Sequence, residues 1–167
     1  MIRLLVLDVD GVLTDGGLFY GAEGEQLKRF NVRDGLGIKL LQQAGVTVAI
    51  VSGRASPALA RRAAELGITE LHGGVGDKAT VLASLQSRLG IAPAETAAMG
   101  DDLPDLALFA GAALRIAPAD AEPELIAAAH LVTPRAGGHG AVRDAAQHIL
   151  MLNGDGDIAT RPAALHG

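Results

Sequence analysis

The sequence predicts an α/β fold, with a central parallel sheet and helices on its faces. Short apolar runs alternate with helical patterns along the chain, the signature of repeated strand–helix–strand units. Hydrophobic residues make up 49% of the 167 residues, yet aromatics only 2% and Trp none, so the core must be Leu, Val, Ile and Ala, which suits a helix-covered parallel sheet. That content excludes a disordered chain, and the length corresponds to one domain with a sizeable core. The absence of Cys excludes disulfides and thiolate metal sites, leaving oxygen or imidazole as metal ligands. A formal net charge of -5 argues against a nucleic-acid partner, whose surfaces are usually bound by basic ones. No apolar stretch is long enough to span a bilayer, and the N-terminus lacks the charged leader and cleavage site of a signal peptide. A soluble cytoplasmic protein with no membrane partner is expected.

The first strand is read at Arg3–Val9. Its apolar run climbs to Asp8, a second acid follows at Asp10, and Gly11 and a Thr14-Asp15-Gly16 turn come next. A buried strand ending in two carboxylates is costly unless a metal, a lysine or both neutralise them. The working assignment is Asp8 as nucleophile and Asp10 as acid/base, with Mg²⁺ between them. Leu18–Tyr20 and Gln26–Phe30, around a Gly-rich turn, read as a β-hairpin projecting beside the acids as a flap or an assembly element.

Asp34 is expected to cap a helix over Gly35–Ala44 that stops at Gly45. Val46–Val51 is the second strand, followed by Ser52-Gly53-Arg54. Ser56 and Pro57 open a helix that Gly67 closes. Thr69–His72 is a third strand, and Gly73–Lys78 is a glycine-rich loop opening a helix to about Leu89. The fourth strand, Thr96–Met99, ends in Gly100-Asp101-Asp102, with Pro104 in the first turn of the next helix. Ala112–Ala117 and His130–Val132 read as further strands, and Ala141–Leu152 as the last helix. Residues 1–152 therefore form the domain, with the flap at about 17–31, and residues 153–167 a flexible C-terminal tail.

In an open parallel sheet, ligands bind beyond the carboxyl ends of the strands, where strand order reverses. Asp8 and Asp10 follow the first strand, Ser52-Gly53-Arg54 the second, Lys78 the third and Asp101-Asp102 the fourth, so each strand end delivers a chemically useful group. In this order the pieces resemble the haloacid dehalogenase (HAD) superfamily of phosphohydrolases: Asp-x-Asp-Gly, a Ser after an apolar strand, a Lys at a helix start, and Gly-Asp-Asp-x-x-Asp. Asp10–Gly16, Phe30–Gly35, Val51–Arg54 and Gly137–Arg143 narrow the likeness to the 3-deoxy-D-manno-octulosonate 8-phosphate phosphatases, over nearly the whole chain to about Leu152.

The resemblance implies a three-layer Rossmann-like fold without a cap domain. It also implies Mg²⁺, a sugar-phosphate substrate of lipopolysaccharide synthesis, and a homotetramer built through the hairpin, in which a neighbouring subunit helps close the site. On that likeness Asp8 attacks phosphorus to form an aspartyl phosphate, and Asp10 protonates the leaving oxygen and then activates water. Asp8, the backbone carbonyl of Asp10, and Asp101 hold Mg²⁺. Ser52 and Lys78 bind the non-bridging oxygens. Asp102 and Asp105 act as orienters or loop anchors. Gly53 and Arg54 meet the substrate, Arg54 gripping its carboxylate, while Thr14 and Asn31 line the pocket.

Plainer readings stand beside these. Ser52 is also a turn residue by type, Lys78 a solvated helix-start lysine, and Arg33 with Asp34 a salt link and a cap. His139 reads as an exposed loop histidine, and His72 and His130 as structural. Gly73–Gly76 lacks the Gly-Lys-Ser/Thr ending of a Walker loop. Three rival functions are carried forward: a nonulosonate 9-phosphate phosphatase, a non-catalytic assembly module, and a signalling receiver domain. A receiver places its phosphate-accepting Asp after the third strand, which here ends in His72 and Gly73.

Overall fold

The first strand lies inside the sheet, and everything at the site hangs from its end. The computed structural model describes residues 1–156 of the chain. In chain order the elements are β1 (Leu4–Leu7), β2 (Phe19–Gly21), β3 (Gly24–Leu27), α1 (Val32–Gln43), β4 (Thr47–Val51), α2 (Pro57–Leu66), β5 (Glu70–His72) and α3 (Lys78–Leu89). Then follow β6 (Thr96–Met99), α4 (Leu106–Ala110), β7 (Leu114–Ala117), α5 (Pro123–Ala128), β8 (Leu131–Val132) and α6 (Ala141–Asn153). Six strands form one parallel sheet in the order β5-β4-β1-β6-β7-β8, and β2 and β3 form a separate antiparallel hairpin. The chain winds outward from β1 through β4 to β5, then crosses back to β6 on the other side of β1. That reversal opens a crevice beyond the carboxyl ends of β1 and β6.

The central strands β4, β1 and β6 are apolar beyond Thr47 and Thr96 because both of their faces are covered. Leu5, Leu7, Val48, Ile50, Met99 and Ile116 face one core, closed by Ile38 and Leu41 of α1, Leu59 of α2 and Ile149 and Leu150 of α6. Leu4, Val6, Ala49, Val51, Ala98 and Ala117 alternate to the other face, against Leu82 and Leu85 of α3, Leu108 and Phe109 of α4 and Leu125 of α5. This is the three-layer α/β arrangement the sequence predicts.

Several boundaries differ, each for a local reason. β1 ends at Leu7 rather than Val9, because the carbonyl of Val9 accepts the N–H groups of Val12, Leu13 and Thr14 and turns the chain at once. Helix α1 starts at Val32, capped by Asn31, whose side chain accepts the Arg33 N–H at 2.9 Å. Asp34, the expected cap, lies inside that first turn and is buried. It accepts the Arg143 N–H at 3.0 Å, so it serves the start of α6, whose own capping residue, Gly140, has no side chain. Pro104 falls in a short 3₁₀ turn, Leu103–Asp105, just ahead of α4. Helix α5 was not anticipated. The expected tail begins later than Asn153, which closes α6 and clasps Ile2 by accepting its N–H at 2.7 Å and donating to its carbonyl at 2.8 Å. Residues 157–167 of that tail lie outside the described residues.

Candidate active site

A cleft of about 610 Å³ sits beyond the carboxyl ends of β1, β4 and β6 and the start of α3. Asp8, Asp10, Ser52, Gly53, Arg54, Lys78, Asp101, Asp102 and Asp105 all line it. Groups separated by up to 97 residues in sequence therefore converge because four connections end at one edge of the sheet.

Asp8 is the first residue after β1, held by its N–H to the Met99 carbonyl at 3.0 Å. Its Oδ1 accepts from Lys78 Nζ at 2.7 Å, and the same Nζ donates to Asp105 Oδ1 at 2.6 Å. All three side chains are at least nine-tenths buried. Lys78 opens α3, where a cation opposes the helix dipole; the two carboxylates in front of it offset that conflict. The other oxygen of Asp105 accepts the N–H groups of Asp101 and Asp102 at 3.0 and 3.4 Å, which fixes the loop after β6. Asp102 caps the following 3₁₀ turn by accepting the Leu103 N–H.

Oxygens of Asp8, Asp101 and Asp105 all lie within 4.8 Å of one another. Asp105 thus joins the acid cluster instead of standing behind it, whereas the Asp10 side chain turns away, to Lys28 Nζ at 2.6 Å and Arg54 Nε at 3.7 Å. The Asp10 carboxylate therefore stands outside this cluster. Three carboxylates against one lysine leave excess negative charge. Burial and the Asp105 charge push the Asp8 carboxyl up to about 6, against the pull of Lys78. Burial, followed by Asp8, Asp105 and Asp102, pushes Asp101 to about 7. An all-oxygen set with surplus negative charge fits a hard divalent cation.

Ser52 is buried at the end of β4; its Oγ accepts the Arg54 N–H at 3.2 Å, and its carbonyl accepts the Val75 N–H. Arg54 reaches over the mouth, where Nη2 donates to Glu25 Oε2 at 2.6 Å and to the Tyr20 hydroxyl at 3.4 Å. Glu25 also pairs with Lys28 at 3.1 Å. Burial works against it, but the bonds from Arg54 and Lys28 hold the Glu25 carboxyl below its usual range. Neither Glu25 nor Lys28 was nominated from sequence. The available signal was a run of charges on a hairpin leaning toward acids.

Two nominated pocket residues do other work. Thr14 is buried in the turn after Asp10, where Oγ1 accepts from the N–H groups of Gly11 and Gly16 and donates to the Val9 carbonyl. Asn31 caps α1 and donates to the Gly138 carbonyl at 3.3 Å. Neither lines the cleft. Both support a close backbone approach of the Gly137–Gly140 loop that the sequence did not reveal. Gly138 donates its N–H to the Val12 carbonyl at 3.0 Å, and a Cβ on Gly137 would sit 1.8 Å from the Gly11 carbonyl oxygen. Gly11 itself has φ +88°, and a Cβ there would meet Asp101 Oδ2 at 2.0 Å. His139, on the same loop, is exposed beside Arg29 at 3.1 Å.

A model of the haloacid dehalogenase-like hydrolases matches residues 70–144. The Escherichia coli 3-deoxy-D-manno-octulosonate 8-phosphate phosphatase is 46% identical over 158 residues, covering 95% of this chain and 84% of that protein. Among solved structures, the cobalt-bound deoxy-D-mannose-octulosonate 8-phosphate phosphatase of Haemophilus influenzae matches with TM-score 0.93 and 42% identity, over 98% of this chain and 95% of that one. The Moraxella catarrhalis 3-deoxy-D-manno-octulosonate 8-phosphate phosphatase, solved with magnesium, phosphate and the free sugar acid, matches with TM-score 0.90 and 42% identity, over 95% of this chain and 92% of that one.

Proposed function

Because the chain belongs to the haloacid dehalogenase-like 3-deoxy-D-manno-octulosonate 8-phosphate phosphatases, we infer that it hydrolyses that ester to the free sugar acid and phosphate, a step in making lipopolysaccharide precursors. One observation carries the chemistry: a buried lysine bridging Asp8 and Asp105, at 2.7 and 2.6 Å, beside Asp101 at the sheet's switch point. In this reading Asp8 attacks phosphorus, the leaving sugar oxygen takes a proton from Asp10, and an aspartyl phosphate remains. Asp10 then removes a proton from the water that cleaves it. Lys78 and Ser52 meet the non-bridging oxygens, where negative charge sits in the transition state. Asp105 fixes both Lys78 and the Asp101 loop.

The reaction is metal-dependent, and we assign Mg²⁺ to Asp8, Asp101 and the backbone carbonyl of Asp10, with Asp105 close by. When bound, the ion neutralises the repulsion between an anionic nucleophile and an anionic phosphate. Its position at the mouth and its forked guanidinium support assigning the substrate carboxylate to Arg54. A sugar carrying both a carboxylate and a phosphate does not cross a bilayer unaided, which supports a cytoplasmic location. Among the described residues no helix is long and apolar enough to cross a membrane.

A panel of sugar phosphates with Mg²⁺, compared by kcat/KM, tests the substrate. The eight-carbon acid ester should lead, with Asp8→Asn losing on the order of 10³-fold or more. A lead for nonulosonate 9-phosphates or hexose phosphates would overturn the substrate and keep the mechanism. Wild type without turnover would restore the assembly-module reading.

The hairpin leaves Phe19, Tyr20 and Leu27 at 52%, 64% and 65% exposure, an apolar surface that the described residues cover only in part. This supports a homotetramer joined through the hairpins, with a neighbour helping to close the cleft. Light scattering should report four chains, and Phe19→Glu with Leu27→Glu should give a smaller species.

A further inference from the structure

We propose that Glu25 is a specificity-determining residue: an internal carboxylate that occupies Arg54 until the carboxylate of the substrate takes its place. The proposal rests on the reading of Arg54 as the substrate-carboxylate group and says what that group does before substrate arrives. Arg54 stands at the mouth of the cleft, its side chain 42% exposed, yet its Nη2 is bonded to Glu25 Oε2 at 2.6 Å. Glu25 comes from β3, on the flap, and its two oxygens hold different cations: Oε2 holds Arg54 and Oε1 holds Lys28 at 3.1 Å. Lys28 continues to Asp10 Oδ1 at 2.6 Å, and Arg54 Nε faces Asp10 Oδ2 at 3.7 Å. Two acids and two bases thus close a ring over the catalytic turn, with no net charge.

A ligand entering beneath the flap finds Arg54 already engaged. Glu25 holds Nη2, the nitrogen that both bidentate edges of the guanidinium share, so a ligand carboxylate seeking a full fork on Arg54 competes with Glu25 for it. A ligand with phosphate alone has nothing to exchange and leaves the ring intact. Glu25 is tethered close by, so it competes at high effective concentration. Apparent affinity for the carboxylate arm is then scaled down by the fraction of molecules in which Arg54 is free. Selectivity becomes a difference between two carboxylates on one cation.

The test compares two competitive inhibitors of aryl phosphate hydrolysis: free 3-deoxy-D-manno-octulosonate, which carries the carboxylate, and orthophosphate, which does not. Glu25→Gln should tighten the sugar acid relative to orthophosphate by about threefold or more. In an Arg54→Gln background the same substitution should leave that ratio unchanged. Equal shifts for both inhibitors would show a general charge effect and overturn the proposal, as would no shift or a loosened sugar acid. A crystal structure of the wild-type protein with the sugar acid gives a readout independent of how the variant folds: its carboxylate should sit on Arg54, with Glu25 beyond about 4 Å. Glu25 still on Arg54 in that complex overturns the proposal. If Arg54→Gln does not weaken the sugar acid, the carboxylate reading of Arg54 fails and takes this proposal with it. If Arg54→Gln weakens it and Glu25→Gln does nothing, the proposal alone fails.

Discussion

Lys78 is bonded to two buried carboxylates that cluster with a third, so its removal would do more than delete the phosphate contact proposed for it. Lys78→Met would leave Asp8 and Asp105 buried without their cation, a break that costs about 3–5 kcal/mol where the acids stay ionised. Burial already pushes Asp8 up to about 6, so Asp8, stranded by Lys78→Met, sheds its charge more readily at pH 5 than at pH 8. Urea unfolding should show the larger loss at pH 8 and a markedly smaller one at pH 5, while turnover falls on the order of 10²-fold or more at either pH. Sequence alone put Asp8, Ser52 and Asp101 at the cleft because each follows a buried apolar strand, and Lys78 because it opens the helix after the third strand. It placed Thr14 and Asn31 in the pocket because both are polar and near the motifs, whereas each spends its side chain on backbone groups. Glu25 and Lys28 went unnoticed because their partners depend on where the flap folds, and no local pattern encodes that.

The turn from Asp8 to Gly16 is held by its own hydrogen bonds and braced from behind by the Gly137–Gly140 loop. Backbones meet so closely that Gly137→Ala would drive a Cβ to 1.8 Å from the Gly11 carbonyl oxygen, and backbone cannot yield as a flexible side chain would. The expected cost is about 2 kcal/mol or more, seen as a lower unfolding midpoint. Activity should fall further than stability, since the displaced turn carries Asp10. Activity intact alongside a lost midpoint would show that the brace does not position the turn. This brace also marks where elements were legible and where they were not. Strands covered on both faces read plainly as apolar runs. The start of α1 was misread because Asn31 and Asp34 are both cap formers, and Asp34 serves α6, over a hundred residues away. Helix α5, Pro123–Ala128, is too short for a helical period to show.

At the scale of the whole molecule, the acid cluster links metal, pH and stability. Asp8 and Asp101 have carboxyls raised in the folded chain to about 6 and about 7, from 3.8 for the unperturbed group. A group raised on folding favours the folded state while it is protonated. That contribution is fully present below the unfolded value and is lost as pH rises through the folded one. The metal-free protein should therefore melt at a lower temperature at pH 8 than at pH 5, as far as these two groups decide it. A divalent cation binds the ionised form, so its stabilisation should run the other way and grow with pH. At a hundredfold excess over its Kd, Mg²⁺ should raise the midpoint at pH 8 by about 5 °C or more. At pH 5, protons hold the same oxygens, and the same Mg²⁺ concentration should shift it far less. Asp101→Asn removes one repelling charge and one ligand together. It should flatten the pH dependence of the metal-free midpoint and weaken the response to Mg²⁺ at pH 8. Thermal melts with Mg²⁺ and with a chelator, at both pH values, separate the possibilities. An equal Mg²⁺ shift at pH 5 and pH 8 would place the ion away from these carboxylates, and with it the charge neutralisation that the proposed attack by Asp8 requires.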